Sequence, residues 1–209
     1  EILMGRVVDP QFRTSEYGTE AALFVSQLLE EAAEHVGAMT YAEEALRNGG
    51  TPEQMAEAGA RWFRVARRAQ RTDRQQEIYA LWQQQGGAKA ADSAAAAQAM
   101  YQMAYAARAQ GDRQAARVLL SQVPTDSEFG SRATYLSGGL YGEAGDLETA
   151  EKWLAAVMDW AMPSDASDPR RLAIETDVRE LAALSAGRLR YERGDLEGAS
   201  AAYRRSDEN

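Results

Sequence analysis

Few residues in this sequence are suited to catalysis. The chain has 209 residues, no Cys and a single His, His35. Nucleophilic catalysis by a Ser-His or Cys-His pair would have to be built around this one imidazole. His35 follows Glu31 by four positions near the predicted end of a helix, where a cation interacts favourably with the helix dipole and with the carboxylate. We therefore expect His35 to stabilise a helix end, and we assign no catalytic residue.

Carboxylates and glycines occur in patterns that resemble other kinds of site. The pairs Glu30-Glu31 and Glu43-Glu44 have no evident apolar pocket to raise a pKa, so an acidic helix surface explains them better than acid-base catalysis. The run GGLYG at 138–142 lacks the preceding strand and the following Lys of a phosphate-binding loop. The aspartates at 159–168 match no Ca²⁺ loop in their spacing. The sequence therefore predicts no metal and no cofactor.

A row of arginines is the first feature that suggests binding. Four arginines follow one another at spacings of three, four and three, which places them on one stripe of a predicted helix. Two interpretations stay open. The stripe is either a solvated face, neutralised in part by Glu57 and Glu77, or an alternative anion-binding stripe for carboxylates. Its members are Arg61, Arg64, Arg68 and Arg71. The opposite face should pack, and it consists of Met55, Gly59, Trp62, Phe63 and Ala66.

Composition limits the fold and the partners. The sequence is rich in Ala, Gln and Arg, has only 5 Pro, and shows no extended alternation of apolar and polar residues. This composition predicts helix throughout. The net charge of −9 disfavours nucleic acid and anionic membranes and favours basic partners. No run approaches the roughly 18 apolar residues of a membrane span, so we expect no direct membrane insertion. The absence of Cys is compatible with reducing and oxidising compartments alike.

Breaks along the chain divide it into ten predicted helices in five pairs. The first pair is expected at 18–34 and 37–48, and Asn48-Gly49-Gly50 provides a good helix stop. Thr51-Pro52-Glu53-Gln54 then has the N-cap, the early Pro and the Gln of a capping box. The helix that follows should run to about residue 70, and its partner should end near residue 85.

A six-residue motif recurs where two helices of a pair should meet. GDLETA at 145–150 and GDLEGA at 194–199 are near copies, and GDRQAA at 111–116 is a fainter one. A small residue stands seven positions before each Gly, while Ala and then a large residue stand five and nine positions after it. This pattern predicts a helical hairpin, because a small residue lets the returning helix approach and Gly turns the chain. The small residues are Ala104, Gly138 and Gly187, and the large ones are Leu120, Leu154 and Tyr203.

This motif, with Gly111 and Gly145 separated by 34 positions, resembles the tetratricopeptide repeat. The resemblance implies an all-α fold, a right-handed α-solenoid of about five helical hairpins whose stacking builds one core. It also implies three regions. These are an extended N-terminal segment at 1–17, degenerate hairpin repeats at 18–92, and repeats at 93–209 with an inserted loop near 160–170.

The family resemblance implies a concave surface, lined by the first helix of each pair, that binds a peptide or a partner protein. On that face Tyr101, Tyr105 and Arg108 lie at positions i, i+4 and i+7. Tyr and Arg are favoured at interfaces because they combine contact area with hydrogen bonds. Packing of the Tyr rings between repeats is an equally good interpretation. The residues at matching places in later repeats are Arg132, Tyr135, Arg188 and Tyr191.

We therefore expect a non-enzymatic scaffold or adaptor that binds a protein or peptide within a larger bacterial assembly. Two alternatives stay open: an accessory domain of an enzyme whose catalytic part lies outside this sequence, and a peptide-sensing regulatory domain. The stretch 184–206 is similar to long repeat proteins of the bacterial cell envelope, and this similarity implies a periplasmic location. A cytoplasmic location is the alternative. Because the sequence starts without Met and stops just after a repeat, we expect a piece of a longer protein.

Overall fold

The computed structural model describes residues 17–71, 73–90, 93–162 and 168–207. Within these residues the chain forms ten α-helices and one short 3-10 turn at Gly87–Ala90, and no β-strand. The predicted all-α class is therefore confirmed. The expected extended segment, apart from Tyr17, and the middle of the expected inserted loop lie outside the described residues.

The chain divides into two compact units, Glu1–Pro124 and Thr125–Asn209. The described part of unit 1 contains α1 (Gly18–Glu31), α2 (His35–Asn48), α3 (Pro52–Arg68), α4 (Gln75–Gln84), α5 (Ala94–Ala109) and α6 (Arg113–Leu120). Unit 2 contains α7 (Gly130–Glu143), α8 (Leu147–Met158), α9 (Pro169–Glu192) and α10 (Leu196–Asp207). The sequence-based division at residue 93 separates degenerate repeats from repeats with a recognisable motif, and it stays a prediction.

In unit 1 the core is built around α3, which packs against α2 and α5, while α1 pairs with α2 and α6 with α5. The face of α3 predicted to pack is buried, and the rings of Trp62 and Phe63 meet edge to face at 5.3 Å between centroids. Trp82 of α4 lies directly against Gly59 and Gly87, where any β-carbon would collide with the indole. These two glycines therefore make room for the largest side chain that α4 buries.

In unit 2 each helix packs against the next one, and α7 also contacts α9. A β-carbon at Gly138 would lie 3.2 Å from the side chain of Leu154, and one at Gly187 would lie 2.7 Å from the ring of Tyr203. In both hairpins the small residue seven positions before the turn thus faces the large residue nine positions after it. The close approach predicted from the motif is present in both.

One backbone conformation recurs between the two helices of every described hairpin. Five residues there have positive φ values: Ala33 (60°), Gln70 (55°), Gly111 (85°), Gly145 (81°) and Gly194 (79°). The amide of the following residue bonds to a carbonyl five positions earlier, as in Asp146 N–H to the Tyr141 oxygen at 3.0 Å. This is the Schellman arrangement, which satisfies carbonyl groups at the end of the first helix.

The Gly-Asp pair of the recurring motif has two separate tasks. Gly takes the left-handed conformation without a steric cost, and Asp caps the next helix. The carboxylates of Asp112, Asp146 and Asp195 accept from backbone amides three positions later at 2.9, 3.1 and 2.9 Å. The first two hairpins have the same turn but use Ala33 and Gln70, and their second helices have no side-chain cap. The motif is therefore visible in three hairpins of five.

The prediction for His35 was wrong. His35 begins α2, whereas the sequence placed it near the end of the preceding helix. The left-handed turn at Ala33 ends α1 at Glu31. The sequence analysis extended the helix to residue 34 because Ala32 and Ala33 belong to the residue type with the highest helix propensity. A cation at the start of a helix meets the positive end of the dipole, so the expected stabilisation does not occur.

The conformation of Ala33 leads to a reciprocal test. Ala33→Gly should raise the free energy of unfolding by about 0.5–1 kcal/mol, because an L residue in the left-handed region is strained. Gly111→Ala should lower it by about 1 kcal/mol, since a β-carbon there meets nothing within 4 Å and only the backbone conformation is affected. Urea denaturation of both variants measures the two changes. Equal effects of the same sign would contradict the turn assignment.

The contact between Gly138 and Leu154 gives a second stability prediction. Gly138→Leu should lower the free energy of unfolding by about 1–3 kcal/mol through overpacking between α7 and α8. Gly139→Leu is the matched control, because a β-carbon at Gly139 meets nothing within 4 Å. Thermal unfolding should show a large fall in Tm for the first variant alone. A similar fall in both would mean that the packed face of α7 is misassigned.

Candidate protein-binding surfaces

The arginine stripe of α3 surrounds a single carboxylate from α1. Arg64 donates its Nε and Nη2 groups to the two carboxylate oxygens of Glu30 at 2.7 and 2.6 Å. Arg68 donates to the same carboxylate at 2.9 Å, and the Nη1 atom of Arg61 lies 3.9 Å from it. The side chain of Glu30 is only 11% exposed. Three of the four predicted stripe residues therefore meet at one partly buried acid.

The partners of the stripe agree only in part with the sequence analysis. Glu57 pairs with Arg61 at 2.7 Å, as its helical spacing suggested, but Arg61 is buried and not solvated. Glu77 pairs with Arg74 at 2.8 Å, outside the stripe. Glu30 was missed because it lies 34 positions before Arg64, beyond the reach of any helical spacing rule.

Electrostatics hold this cluster together. The hydrogen bond from Arg64 lowers the pKa of Glu30, and the charges of the neighbouring guanidinium groups add to the effect, while burial opposes it. Around Glu30 the guanidinium groups of Arg61, Arg64 and Arg68 outnumber the carboxylate by three to one. The cluster is thus a locally basic region on an acidic chain.

The same surface continues onto α5. Arg64 also donates to the amide oxygen of Gln98 at 3.1 Å, and Arg67 donates to that of Gln102 at 3.4 Å. The guanidinium carbon of Arg67 lies 4.7 Å from the ring centroid of Tyr105, which is 39% exposed. We call this the first-helix surface of unit 1, and its members are Glu30, Arg64, Arg67, Arg68, Gln98, Gln102 and Tyr105. Tyr101 and Arg108, also on α5, are half-buried.

In unit 2 two of the predicted residues are engaged in packing. The ring of Tyr135 packs against the core, and its Oη atom lies 3.3 Å from Oγ of Ser185 on α9. Arg132 covers the ring of Phe129 at 4.2 Å and donates to the carbonyl oxygen of Glu128 at 2.9 Å. The contact of Tyr135 with α9 is of the kind that the packing interpretation of the Tyr rings requires, whereas the contacts of Arg132 are local to the start of α7.

The other two predicted residues of unit 2 lie on an exposed stripe of α9. Arg188 is exposed and pairs with Glu192 at 2.8 Å, and Tyr191 is 63% exposed. Leu181 and Leu184 lie on the same stripe, at spacings of three and four, and both are exposed. We call these four residues the first-helix surface of unit 2. The leucines were missed because α9 packs against three other helices and carries apolar residues on every side.

The described residues show neither of two other kinds of site. Among them, no three His, Asp or Glu side chains are grouped in a way that could hold a metal ion. None of the helices in the described ranges is long and apolar enough to cross a membrane.

No family model and no curated protein matches the sequence. Two solved structures share its architecture. The crystal structure of BtubC (BKLC) from P. vanneervenii has a TM-score of 0.68 at 16% identity, covering 92% of this chain and 80% of that chain. The crystal structure of MamA protein has a TM-score of 0.65 at 13% identity, covering 93% and 92%. Both contain tetratricopeptide repeats. The fold of this chain is tetratricopeptide-like. At these identities the similarity concerns the fold, and the likeness to cell-envelope proteins stays a prediction.

The acid at the centre of the arginine cluster makes stability depend on pH. Since its folded-state pKa lies below the ordinary value of 4.5, ionised Glu30 stabilises the fold fully above pH 4.5. This stabilisation is lost as the pH falls through the folded-state pKa. Glu30→Gln should therefore lower the free energy of unfolding at pH 7 by about 1–3 kcal/mol, and the difference from wild type should shrink at lower pH.

Glu192→Gln is the control for this test. Glu192 is half exposed and pairs with the exposed Arg188 on its own helix, so its removal should cost only tenths of a kcal/mol. Chemical denaturation between pH 3 and pH 7 measures both variants. A loss for Glu30→Gln that stayed constant over this range would contradict the proposed linkage.

Proposed function

We propose that the protein is a non-enzymatic scaffold or adaptor that binds a partner protein or peptide through its first-helix surfaces, within a larger bacterial assembly of the cell envelope. The observation that carries the proposal is the arrangement of Arg67 over the exposed ring of Tyr105, beside arginines held in place by Glu30. The tetratricopeptide-like fold supports it by analogy.

The chemistry of unit 1 favours a partner segment that contains acidic residues. Arg68 is half exposed, and its guanidinium group retains donors beyond the single hydrogen bond to Glu30. A carboxylate on a partner can accept two parallel hydrogen bonds from such a group. Because Glu30 and Gln98 already hold Arg64 in place, binding costs less side-chain entropy than it would for free arginines.

Aromatic and apolar contacts complete the proposed interface. Tyr105 offers the exposed part of its aromatic ring, and the exposed leucines of α9 offer apolar area beside Arg188 and Tyr191. Each unit presents its own surface, and the proposal requires no particular arrangement of the two. Of the proposed partner-binding residues, Tyr105, Arg188 and Tyr191 lie on these surfaces. The proposal extends to the residues at matching places on the first helices of the hairpins, which are Tyr101 and Arg108 in unit 1 and Arg132 and Tyr135 in unit 2.

Selection of random twelve-residue peptides on the wild-type protein tests this proposal. We expect enrichment of Asp and Glu together with aromatic or apolar residues. Tyr105→Ala should weaken a selected peptide by about 1–3 kcal/mol, and Arg67→Glu should weaken it at least as much through charge repulsion, with Tm unchanged in both.

Lys152→Glu is the matched charge reversal, because Lys152 is exposed on α8 of unit 2 and pairs only with a residue of its own helix among the contacts described. It should leave peptide binding unchanged. Equal affinity of a selected peptide for wild type, Arg67→Glu and Tyr105→Ala would overturn the role of the first-helix surface of unit 1. Calorimetry gives the affinities.

A further inference from the structure

A groove of about 500 Å³ lies between α4, α5 and α6 of unit 1. This volume is within the range of cavities that hold small ligands and peptide side chains. The groove is separate from the residues that form the first-helix surface of unit 1. The sequence analysis assigned none of its lining residues to a binding site, because glutamines on a helix are typical of an ordinary solvent-facing surface.

The position of α4 explains why the groove exists. Trp82 lies between α4 and the backbone of Gly59 and Gly87, and the burial of this indole fixes α4 against α3 and the 3-10 turn. Helix α6 packs on the neighbouring α5, so α4 and α6 border the groove from different sides. The space between these two second helices is left open.

The floor of the groove is apolar. Met103 and Ala106 of α5 and Leu119 of α6 are buried there. Val118 lies at the edge and is 48% exposed, although Val is a residue that usually gains from burial. Ala107 and Ala115 are partly exposed, and their small side chains leave room above the floor.

The lining of the groove is polar above the floor and carries little charge. It includes six glutamines, while Asp112 is the one charged residue among the 14 that line the groove, in a chain of which 26% is charged. The carboxylate of Asp112 is already used to cap α6. Gln75 is buried and accepts from the side-chain amide of Gln110 at 3.5 Å. The exposed glutamines are Gln76, Gln83, Gln110, Gln114 and Gln122.

This combination selects one kind of occupant. A carboxamide offers two donors and an acceptor, which match the N–H and C=O groups of an extended peptide backbone, and Gln76, Gln114 and Gln122 present exposed carboxamides at the groove. A helical occupant bonds its own backbone groups and has no such need. An anionic side chain that entered the groove would lose hydration without meeting an opposite charge, and a cationic one would meet only Asp112, whose carboxylate already caps α6. Alternate side chains of an extended segment point to the same side and can reach the apolar floor.

We propose that this groove binds an extended, uncharged peptide segment of a partner protein, with the peptide backbone bonded to the exposed carboxamides of Gln76, Gln114 and Gln122 and alternate apolar side chains on the floor. The site is independent of the first-helix surfaces. The two sites differ in chemistry, since one is basic and the other neutral.

The full chain and a capped heptapeptide, acetyl-Ser-Leu-Ser-Val-Ser-Leu-Ser-amide, test the proposal. In spectra of protein labelled with ¹³C at its methionine methyl groups, the peptide should shift the Met103 signal and leave Met158 of unit 2 unchanged. Ala107→Leu combined with Ala115→Leu should fill the groove and weaken binding at least about tenfold. Ala201→Leu, on an exposed face of α10, should have no effect.

Two further measurements test the groove even if the variant with Ala107→Leu and Ala115→Leu folds poorly. Gln76→Glu combined with Gln114→Glu preserves shape and should weaken the neutral peptide at least about fivefold, because it adds charge to the lining. A peptide with Glu in place of both Leu should bind wild type at least about tenfold more weakly. An unshifted Met103 signal at millimolar peptide, or equal binding of the neutral and Glu-containing peptides, would overturn the proposal. Arg67→Glu should leave binding of the heptapeptide unchanged, which distinguishes this site from the first-helix surface.

Discussion

Each hairpin depends on one residue in the left-handed conformation between its two helices. This residue allows the chain to reverse within a few positions, so that two helices that are adjacent in sequence also pack in space. The position of the reversal determines which residues of the two helices face each other. In the last two hairpins the small residue before the turn faces the large residue 16 positions later, as Gly138 faces Leu154 and Gly187 faces Tyr203. A local backbone constraint therefore sets the packing of the helices.

The sequence predicts this architecture well, and it predicts a turn most clearly where the left-handed position is occupied by Gly. Composition and the scarcity of Pro are enough for the all-α class, and Gly followed by Asp marks three of the turns. Ala33 and Gln70 occupy the same conformation but belong to residue types that favour helix, so the helices before them end at Glu31 and Arg68, earlier than the predicted ends at residue 34 and about residue 70. The error for His35 has the same origin, because it depended on where α1 ends.

The proposed binding surfaces were less predictable than the fold. The arginine stripe of α3 follows from helical spacing alone, but its partner Glu30 comes from another hairpin and no local rule connects them. The exposed leucines of α9 could not be predicted for a different reason. A helix that packs against three other helices shows no clear periodicity in its apolar residues. The neutral groove depends on the gap beside α4, which only three-dimensional packing defines.

Arg64 has a consequence for how unit 1 unfolds. In a repeat array whose members contact only their neighbours, hairpins at the end can open one at a time. The guanidinium group of Arg64 is bonded to Glu30 of the first hairpin and Gln98 of the third at the same time. Opening of the first hairpin would therefore leave an uncompensated guanidinium against α5, which couples the outer hairpins through the middle one. The three hairpins of unit 1 should consequently behave as one cooperative block, without progressive fraying from α1.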